Sequence, residues 1–159
     1  MNKKVKYIVK AGIIAALYAV ITVSVAPISY GGMQIRISEA MAVIPYFTTS
    51  AVPGLFIGCL IANFFGSPLG MLDVVLGSLT SLIAAFMTSK IKTKVLVPLP
   101  SIILNALIIP FVLWKVLGLP YFISVIWVGL GQTISVYGLG YPLLKIIEKN
   151  KSINEIIKD

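Results

Sequence analysis

The sequence contains no histidine and a single cysteine, Cys59. Zinc sites are built mainly from these two residue types, and a disulfide needs two cysteines, so the chain is predicted to hold no metal ion, cofactor or disulfide. Charged side chains are also scarce, at 11% of 159 residues, where soluble domains carry about 25%. This composition does not supply the charged surface that a water-soluble fold of this size needs.

Hydrophobic residues instead make up 58% of the chain, and the mean hydropathy is +1.02. Lipid tails solvate apolar side chains, and about 20 apolar residues span a bilayer as a helix, so roughly six such helices fit into the chain. We therefore predict an all-α integral membrane protein: a six-helix transmembrane bundle over residues 1–150 and a polar cytoplasmic tail over residues 151–159. No length remains for a separate catalytic or nucleotide-binding domain, so an enzyme is not predicted.

Proline, glycine and polar clusters divide the hydrophobic sequence into helical segments. The predicted helices run from about 7 to 25, 39 to 47, 51 to 66, 72 to 89, 98 or 100 to 118, and 122 to 147. The second is too short to cross a bilayer unaided, and Ser38 is expected to cap it. Pro142 predicts a kink in the sixth helix.

The basic residues are distributed unevenly over the predicted loops. The loops on the side of the N-terminus carry Lys3, Lys4, Lys6, Lys10, Lys90, Lys92, Lys94, Lys145, Lys149, Lys151 and Lys158. The opposite side carries Arg36 and Lys115. Cytoplasmic loops are enriched in lysine and arginine, so both termini are predicted to be cytoplasmic, in the cell membrane. The net charge of +8 is therefore interpreted as membrane orientation rather than nucleic-acid binding.

Polar side chains within the spans mark a candidate binding site, because such groups are unfavourable in lipid. The candidates near the outer side are Arg36, Glu39, Asn63 and Asp73, and those nearer the middle are Asn105 and Gln132. Aromatic candidates in the same region are Tyr30, Trp127 and Tyr137. Structural alternatives remain for each: an Arg36–Glu39 ion pair, helix capping, bonds between helices, or an aromatic belt at the interface.

Together these residues predict an outward-facing pocket that binds a ligand without catalytic chemistry. Carboxylates accept hydrogen bonds from ring N–H and amino groups, amides both donate and accept, and aromatic faces stack on a flat ring. A planar, nitrogen-rich ring fits this set. Several vitamins share that chemistry, so the residues alone leave the ligand class open.

Helix one carries small residues at every fourth position, Ala11, Ala15 and Ala19, with Gly12 and Ala16 beside them. Such a stripe lets another helix approach closely. The stripe is predicted either to dock a partner protein or to pack within the bundle.

Four strings of the sequence together resemble the QueT family. They are MQIRISEAMAVIPYF, SAVPGLFIGCLIANFFG, LDVVLGSLTSLIAA and VGLGQTISVYGLGYPLL, and the resemblance covers nearly the whole chain. The family comprises substrate-binding (S) components of energy-coupling factor (ECF) importers, associated with queuosine precursors. The resemblance implies a six-helix S-component fold and an external pocket roofed by the loop between helices one and two.

The resemblance also implies partners and a ligand. The partners are a transmembrane scaffold subunit, docked through an AxxxA stripe that matches Ala15 and Ala19 and that Ala11 extends, and two cytoplasmic ATPases. The ligand is a 7-deazaguanine base, prequeuosine or queuine, whose guanine-like edge fits Glu39, Asp73, Asn63 and Asn105. The alternatives are an S component for another vitamin and a small self-sufficient membrane transporter.

Overall fold

The computed structural model of the chain describes residues 2–31 and 33–158, and every regular element in these ranges is helical. The α-helices are α1 (Lys3–Ser24), α2 (Ala26–Ser29), α3 (Ala51–Gly66), α4 (Ser78–Lys90), α5 (Leu99–Leu117), α6 (Tyr121–Thr133), α7 (Tyr141–Lys149) and α8 (Lys151–Ile157). The prediction of an all-helical protein is therefore confirmed for the described part of the chain. The bounds of α3 agree with those predicted from Pro53 and Gly66.

The outside of the bundle is apolar. Large hydrophobic side chains are exposed along the helices, including Ile8, Val20, Phe65, Phe122 and Ile126. Three helical stretches are long and apolar enough to span a membrane: Lys3–Ser24, Lys94–Leu117 and Tyr121–Lys149, whereas α3 has 16 residues. An apolar exterior around polar side chains is the arrangement that lipid favours. The count of six crossings stays a prediction.

Helix α1 packs on α3 through small residues. A Cβ atom added to Gly58 would lie 2.8 Å from the Ala15 carbonyl oxygen, so the two backbones are in direct contact. The same packing buries Ala11, Ala15 and Ala19, which are at most 8% exposed. In the isolated chain α3 covers these alanines, and their docking of a partner protein stays a prediction. The other alternative, packing within the bundle, describes the structure.

The second predicted helix is a 3-10 helix, Ile37–Tyr46, buried along most of its length. Its N-cap is Arg36, and no side chain caps it. The predicted capping role of Ser38 is therefore wrong: its hydroxyl lies inside the bundle, 2.6 Å from the Thr22 hydroxyl oxygen of α1. A 3-10 helix rises about 2.0 Å per residue, against 1.5 Å for an α-helix, so this segment reaches deeper than an α-helix of equal length.

Two π-helical segments interrupt the α-helical pattern, Asp73–Gly77 before α4 and Ile134–Gly140 between α6 and α7. The sixth predicted helix is continuous from 121 to 149, and its irregularity lies in the π segment just before Pro142 rather than at the proline itself. Proline clashes with the carbonyl four residues earlier in a regular helix, and the wider π register relieves that clash. Such segments occur frequently at functional sites.

Lysines meet at one end of the bundle. The Lys10 ammonium donates to the backbone carbonyls of Ile157, at 3.1 Å, and Lys158, at 2.7 Å. Lys94 pairs with Glu148 at 2.5 Å at the same end. The polar tail thus forms α8 and folds back onto α1. This grouping is what the positive-inside prediction requires, since it places both termini on the lysine-rich side.

Candidate ligand-binding site

An ion pair buried near the lysine-poor end joins the loop after α2 to the helix before α4. The Arg36 Nη2 atom lies 3.3 Å from Asp73 Oδ2, and the two side chains are 3% and 0% exposed. Ser67 donates its hydroxyl to the same carboxylate oxygen at 2.6 Å. We call Tyr30, Arg36, Asn63, Ser67 and Asp73 the outer cluster. Sequence reasoning missed Ser67, because one serine in a Gly-Ser-Pro turn carries no signal beyond the turn itself.

Tyr30 completes this cluster from the loop side. The Arg36 guanidinium carbon lies 4.8 Å from the centre of the Tyr30 ring, a cation–π contact. The Tyr30 hydroxyl donates to the Ala62 carbonyl at 2.7 Å. Burial raises the pKa of Tyr30 to about 12, so the hydroxyl stays protonated and remains a donor at neutral pH. The ring is therefore held in place at the outer end of the bundle.

Asn63 connects α3 to the π segment that begins at Asp73. Its Nδ2 atom donates to the Asp73 backbone carbonyl at 2.9 Å and also lies 3.5 Å from the Cys59 sulfur. A Cβ atom on Gly77 would approach that Nδ2 atom to 2.7 Å, so glycine is needed for this contact. The capping alternative for Asn63 is thus partly right: its side chain does bond a helix carbonyl, but that carbonyl belongs to the neighbouring π segment and not to α3.

Glu39 belongs to a second group, the inner cluster of Tyr18, Glu39, Ser101 and Asn105. Tyr18 donates to Glu39 Oε1 at 2.5 Å, and Ser101 donates to Oε2 at 2.8 Å. Asn105 donates to the Ser101 carbonyl at 2.9 Å. The position of Glu39 corrects the sequence interpretation, which placed it at the outer side: the carboxylate lies inside the bundle, between Tyr18 of α1 and Ser101 in the first turn of α5. The alternative of an Arg36–Glu39 ion pair is also wrong, because Arg36 turns to Asp73.

Several buried polar atoms have no hydrogen-bond partner among the described residues. Those inside the bundle are Gln34 Nε2, Asp73 Oδ1, Gln132 Oε1 and Ser135 Oγ, whereas the Ser81 hydroxyl has only the weakly bonding Cys59 thiol. Gln132 is 2% exposed, and the Met33 carbonyl of the loop rests on its neighbour Gly131. A buried polar group without a partner is unfavourable by about 1–3 kcal/mol, so each of these atoms calls for a physical explanation.

Trp127 and Tyr137 do not join either cluster. Trp127 is 47% exposed on the apolar exterior, which agrees with the lipid-facing alternative for this residue. Tyr137 donates its hydroxyl to the Val95 carbonyl at 2.6 Å, at the lysine-rich end. Of the predicted site residues, the structure thus brings together Tyr30, Arg36, Asn63 and Asp73 in one cluster and Glu39 and Asn105 in the other. Trp127 and Tyr137 lie outside both clusters.

The polar clusters are closed. The described residues enclose a cavity of only about 10 Å³, lined in part by Tyr18, Glu39, Ser81 and Ser101. A shallow depression of about 280 Å³ opens at the outer surface beside Tyr30 and Gly66. Ligand pockets hold about 300–1,000 Å³. Neither of these two spaces reaches that range, and the outward-facing pocket stays a prediction.

The site offers no metal centre in the part of the chain that the structure describes. Within residues 2–31 and 33–158, no three cysteine or acidic side chains lie together as metal ligands. The chemistry available is hydrogen bonding, ion pairing and ring stacking, all of which serve binding.

Comparison with known proteins yields one family and one curated relative that bear on this chain. The family model described as QueT transporter matches residues 8–149. The queuosine precursor transporter QueT of Lactococcus lactis subsp. cremoris (strain MG1363) is 36% identical over 86 residues, which cover 52% of this chain and 50% of the relative. The chain thus matches about half the length of that relative. No solved structure matches the chain.

The matched region begins in the first turns of α1 and ends with α7. It therefore includes both polar clusters, both π segments and the loop between α2 and the 3-10 helix. The relative and the family are transporters rather than enzymes. Because the family model matches residues 8–149 of the 159, the chain belongs to the QueT transporter family.

Proposed function

We propose that this protein is the S component of an ECF-type importer and captures a queuosine-related 7-deazaguanine base from outside the cell. One observation carries the proposal. Buried hydrogen-bonding groups from α1, the 3-10 helix, α3, the π segment at Asp73, α5 and α6 lie inside a bundle whose exterior is apolar, and several of them lack a partner. Family membership and the name of the curated relative supply the ligand class.

The unpartnered groups suit the edge of a guanine-like ring. Such a ring presents N–H and amino donors beside a carbonyl acceptor, and Asp73 Oδ1 and Gln132 Oε1 are buried acceptors without a donor. Asn63 and Asn105 add amides within the two clusters. The Tyr30 ring, beside the outer depression, gives a flat face on which a base stacks as it enters.

Capture is coupled to movement of the loop segment Met33–Arg36. This loop is held closed by the Arg36–Asp73 ion pair and by the contact of Met33 with Gly131. Binding at Asp73 competes with Arg36 for the same carboxylate, so the loop opens to admit the base and closes again over it. Energy for transport comes from the scaffold subunit and the two ATPases of the importer, which meet the lysine-rich, cytoplasmic end of the bundle. Since α3 covers the alanines, the scaffold docks on the exposed face of α1, which carries Gly12 and Ala16.

The proposal is tested by isothermal titration calorimetry on the purified protein in detergent, with 7-deazaguanine bases and a panel of vitamins. The informative variant is Gln132→Met, which removes a buried acceptor that has no protein partner. We expect it to weaken deazaguanine binding roughly 10-fold while leaving thermal stability equal or higher, because a ligand-binding group is unfavourable in the free protein. Glu148→Gln, at an exposed carboxylate at the opposite end, is the matched control: it should leave binding unchanged and lower stability by no more than about 0.2–1 kcal/mol, because it breaks only the exposed pair with Lys94.

Tight binding of another vitamin, together with no heat of binding from any deazaguanine, would show that the ligand is that vitamin and not a deazaguanine. A second measurement tests the importer assignment: uptake by liposomes that contain the protein with or without an ECF scaffold and ATPases, in the presence of ATP. Uptake that proceeds equally well without these partners would favour the self-sufficient transporter.

A further inference from the structure

The tail helix α8 is fixed at both of its ends, although it follows the part of the chain that the family model matches. Asn150 caps its N-terminus, because the Asn150 side chain accepts a hydrogen bond from the Ile153 backbone N–H at 3.2 Å. The Lys10 ammonium donates to the carbonyls of Ile157 and Lys158 at its C-terminus. A cation there satisfies carbonyls that have no partner within the helix. The tail is therefore a defined element of the lysine-rich end.

The ends of the apolar spans give the level at which α8 lies. Each of the three stretches long enough to cross a membrane has a lysine at this end: Lys3–Ser24, Lys94–Leu117 and Tyr121–Lys149. Lysine at the end of a span extends its ammonium group to the lipid headgroups. The C-terminus of α8 meets Lys10, which lies about 10 Å along α1 from Lys3 at 1.5 Å per residue. This places α8 at the boundary between headgroups and acyl chains.

The side chains of α8 are distributed as in a helix that lies in this boundary. Its isoleucines, at 153, 156 and 157, project within an arc of about 100°, and Lys151 and Glu155 lie on the opposite side. Ile157 packs against the hydrophobic core of the bundle, but Ile156 is 71% exposed. Such exposure is unfavourable in water and favourable among acyl chains. The apolar face of α8 thus needs a lipid environment on one edge.

The surface around α8 carries positive charge with little negative charge to balance it. Six exposed lysines lie in the first turn of α1 or beside α8: Lys3, Lys4, Lys6, Lys149, Lys151 and Lys158. Among the described residues, the acidic side chains at this end are Glu148 and Glu155, and Glu148 is paired with Lys94. Phosphate groups of anionic lipids lie at the same level and favour each nearby lysine by about 5-fold. Charge and apolar exposure therefore fit the same partner.

We propose that α8 and the six lysines around it form a docking surface for the headgroups of anionic phospholipids. The lysines bind the headgroup phosphates, and Ile156 enters the acyl region beneath them. An acidic protein surface fits less well, because it would balance the lysines but leave Ile156 without acyl chains. Since Lys10 joins α8 to α1, the bound lipid also fixes the depth of α1 in the membrane. The inference does not depend on the ligand that the protein transports.

The headgroup preference is tested by native mass spectrometry on the full-length protein in detergent, titrated with palmitoyl-oleoyl phosphatidylglycerol or phosphatidylcholine. These lipids share acyl chains and differ in headgroup charge. We expect the wild type to bind phosphatidylglycerol at least about 10-fold more tightly, and the double variant Lys149→Gln/Lys151→Gln to prefer it by less than about 3-fold. Lys115→Gln, at an exposed lysine of the opposite end, is the matched control and should keep the preference. Lys10 is retained throughout, because it holds α8 in place.

The position of α8 is tested with a fluorophore attached to Ile156→Cys or to Glu155→Cys, in nanodiscs that contain both lipids. Cys59 is buried, so brief labelling modifies the introduced thiol. Lipids brominated in their acyl chains should quench the label at 156 at least about 3-fold more than the label at 155.

Equal binding of the two lipids by the wild type would overturn the proposal. A preference that the double variant keeps in full would overturn it too, because these lysines would then not bind the headgroup. Equal quenching at the two positions would show that the apolar face of α8 does not enter the bilayer and would refute the docking surface. Neither measurement contains a deazaguanine, so their failure leaves the proposed function untouched.

Discussion

The Arg36–Asp73 ion pair should contribute a measurable coupling energy, because both partners are buried. At the observed 3.3 Å, Coulomb attraction at an effective dielectric constant of about 20 amounts to about 5 kcal/mol. Desolvation offsets much of this gain, whereas removal of one partner leaves a buried, unpaired charge and destabilises by about 3–5 kcal/mol. We expect Arg36→Met and Asp73→Asn each to lower the free energy of unfolding by that amount.

The double variant should be less destabilised than the sum of the two single variants. Unfolding by sodium dodecyl sulfate in mixed micelles, followed by circular dichroism, measures the four free energies of the cycle. A coupling energy of about 2 kcal/mol or more is expected. The Lys94–Glu148 pair gives an internal control, because its side chains are 49% and 40% exposed and such pairs contribute about 0.2–1 kcal/mol. Equal coupling in the two pairs would refute the reasoning that burial makes the first pair strong.

The remaining predictions use glycines and one hydroxyl. Gly58→Leu should destabilise the fold by several kcal/mol, because its Cβ would lie 2.8 Å from the α1 backbone, whereas Gly12→Leu, at a position with open space, should change micelle unfolding little. Gly131→Ala should prevent the loop from closing over α6 and should raise the rate of ligand dissociation in stopped-flow measurements; an unchanged rate would contradict the closure. Tyr18→Phe leaves Glu39 with one donor fewer and should lower the unfolding free energy by about 1–3 kcal/mol in detergent, and equal stability would show that the 2.5 Å bond contributes nothing.

The sequence predicted the helices well where prolines and glycines mark their ends. The bounds of α3 follow from Pro53 and Gly66, and those of α5 from Pro98 and Gly118, which adopts a positive φ of 67° at the C-terminus of the helix. It could not predict that 37–46 forms a 3-10 helix. This segment packs against the π segment Ile134–Gly140, α4 and α1, and local propensity does not encode such tertiary contacts.

The 3-10 geometry of this segment explains why the sequence analysis placed Glu39 at the outer side. An α-helix starting at Glu39 would leave the carboxylate at the outer surface, where pairing with Arg36 is the simplest expectation. The 3-10 helix begins earlier, at Ile37, and carries Glu39 inward to Tyr18. The outer cluster was predictable, because Asn63 and Asp73 lie at helix ends on the same side of the bundle.

The alanines and the aromatic residues show a different limit of sequence reasoning. A stripe of small residues allows close approach but does not tell whether the approaching helix belongs to the same chain, and here it is α3. Trp127 likewise suits a lipid interface as well as a ligand, and its position on the exterior depends on how α6 is rotated by its contacts with α5.

Cys59 has a practical consequence that follows from its position. It is the only cysteine in the sequence, it is fully buried, and its sulfur lies 3.7 Å from the Arg36 guanidinium and 3.5 Å from the Asn63 amide. Alkylating reagents reach that thiol only while the loop and the outer cluster are parted. If the proposed opening occurs, the labelling rate of Cys59, measured by mass spectrometry, reports it in the unmodified protein without an introduced probe.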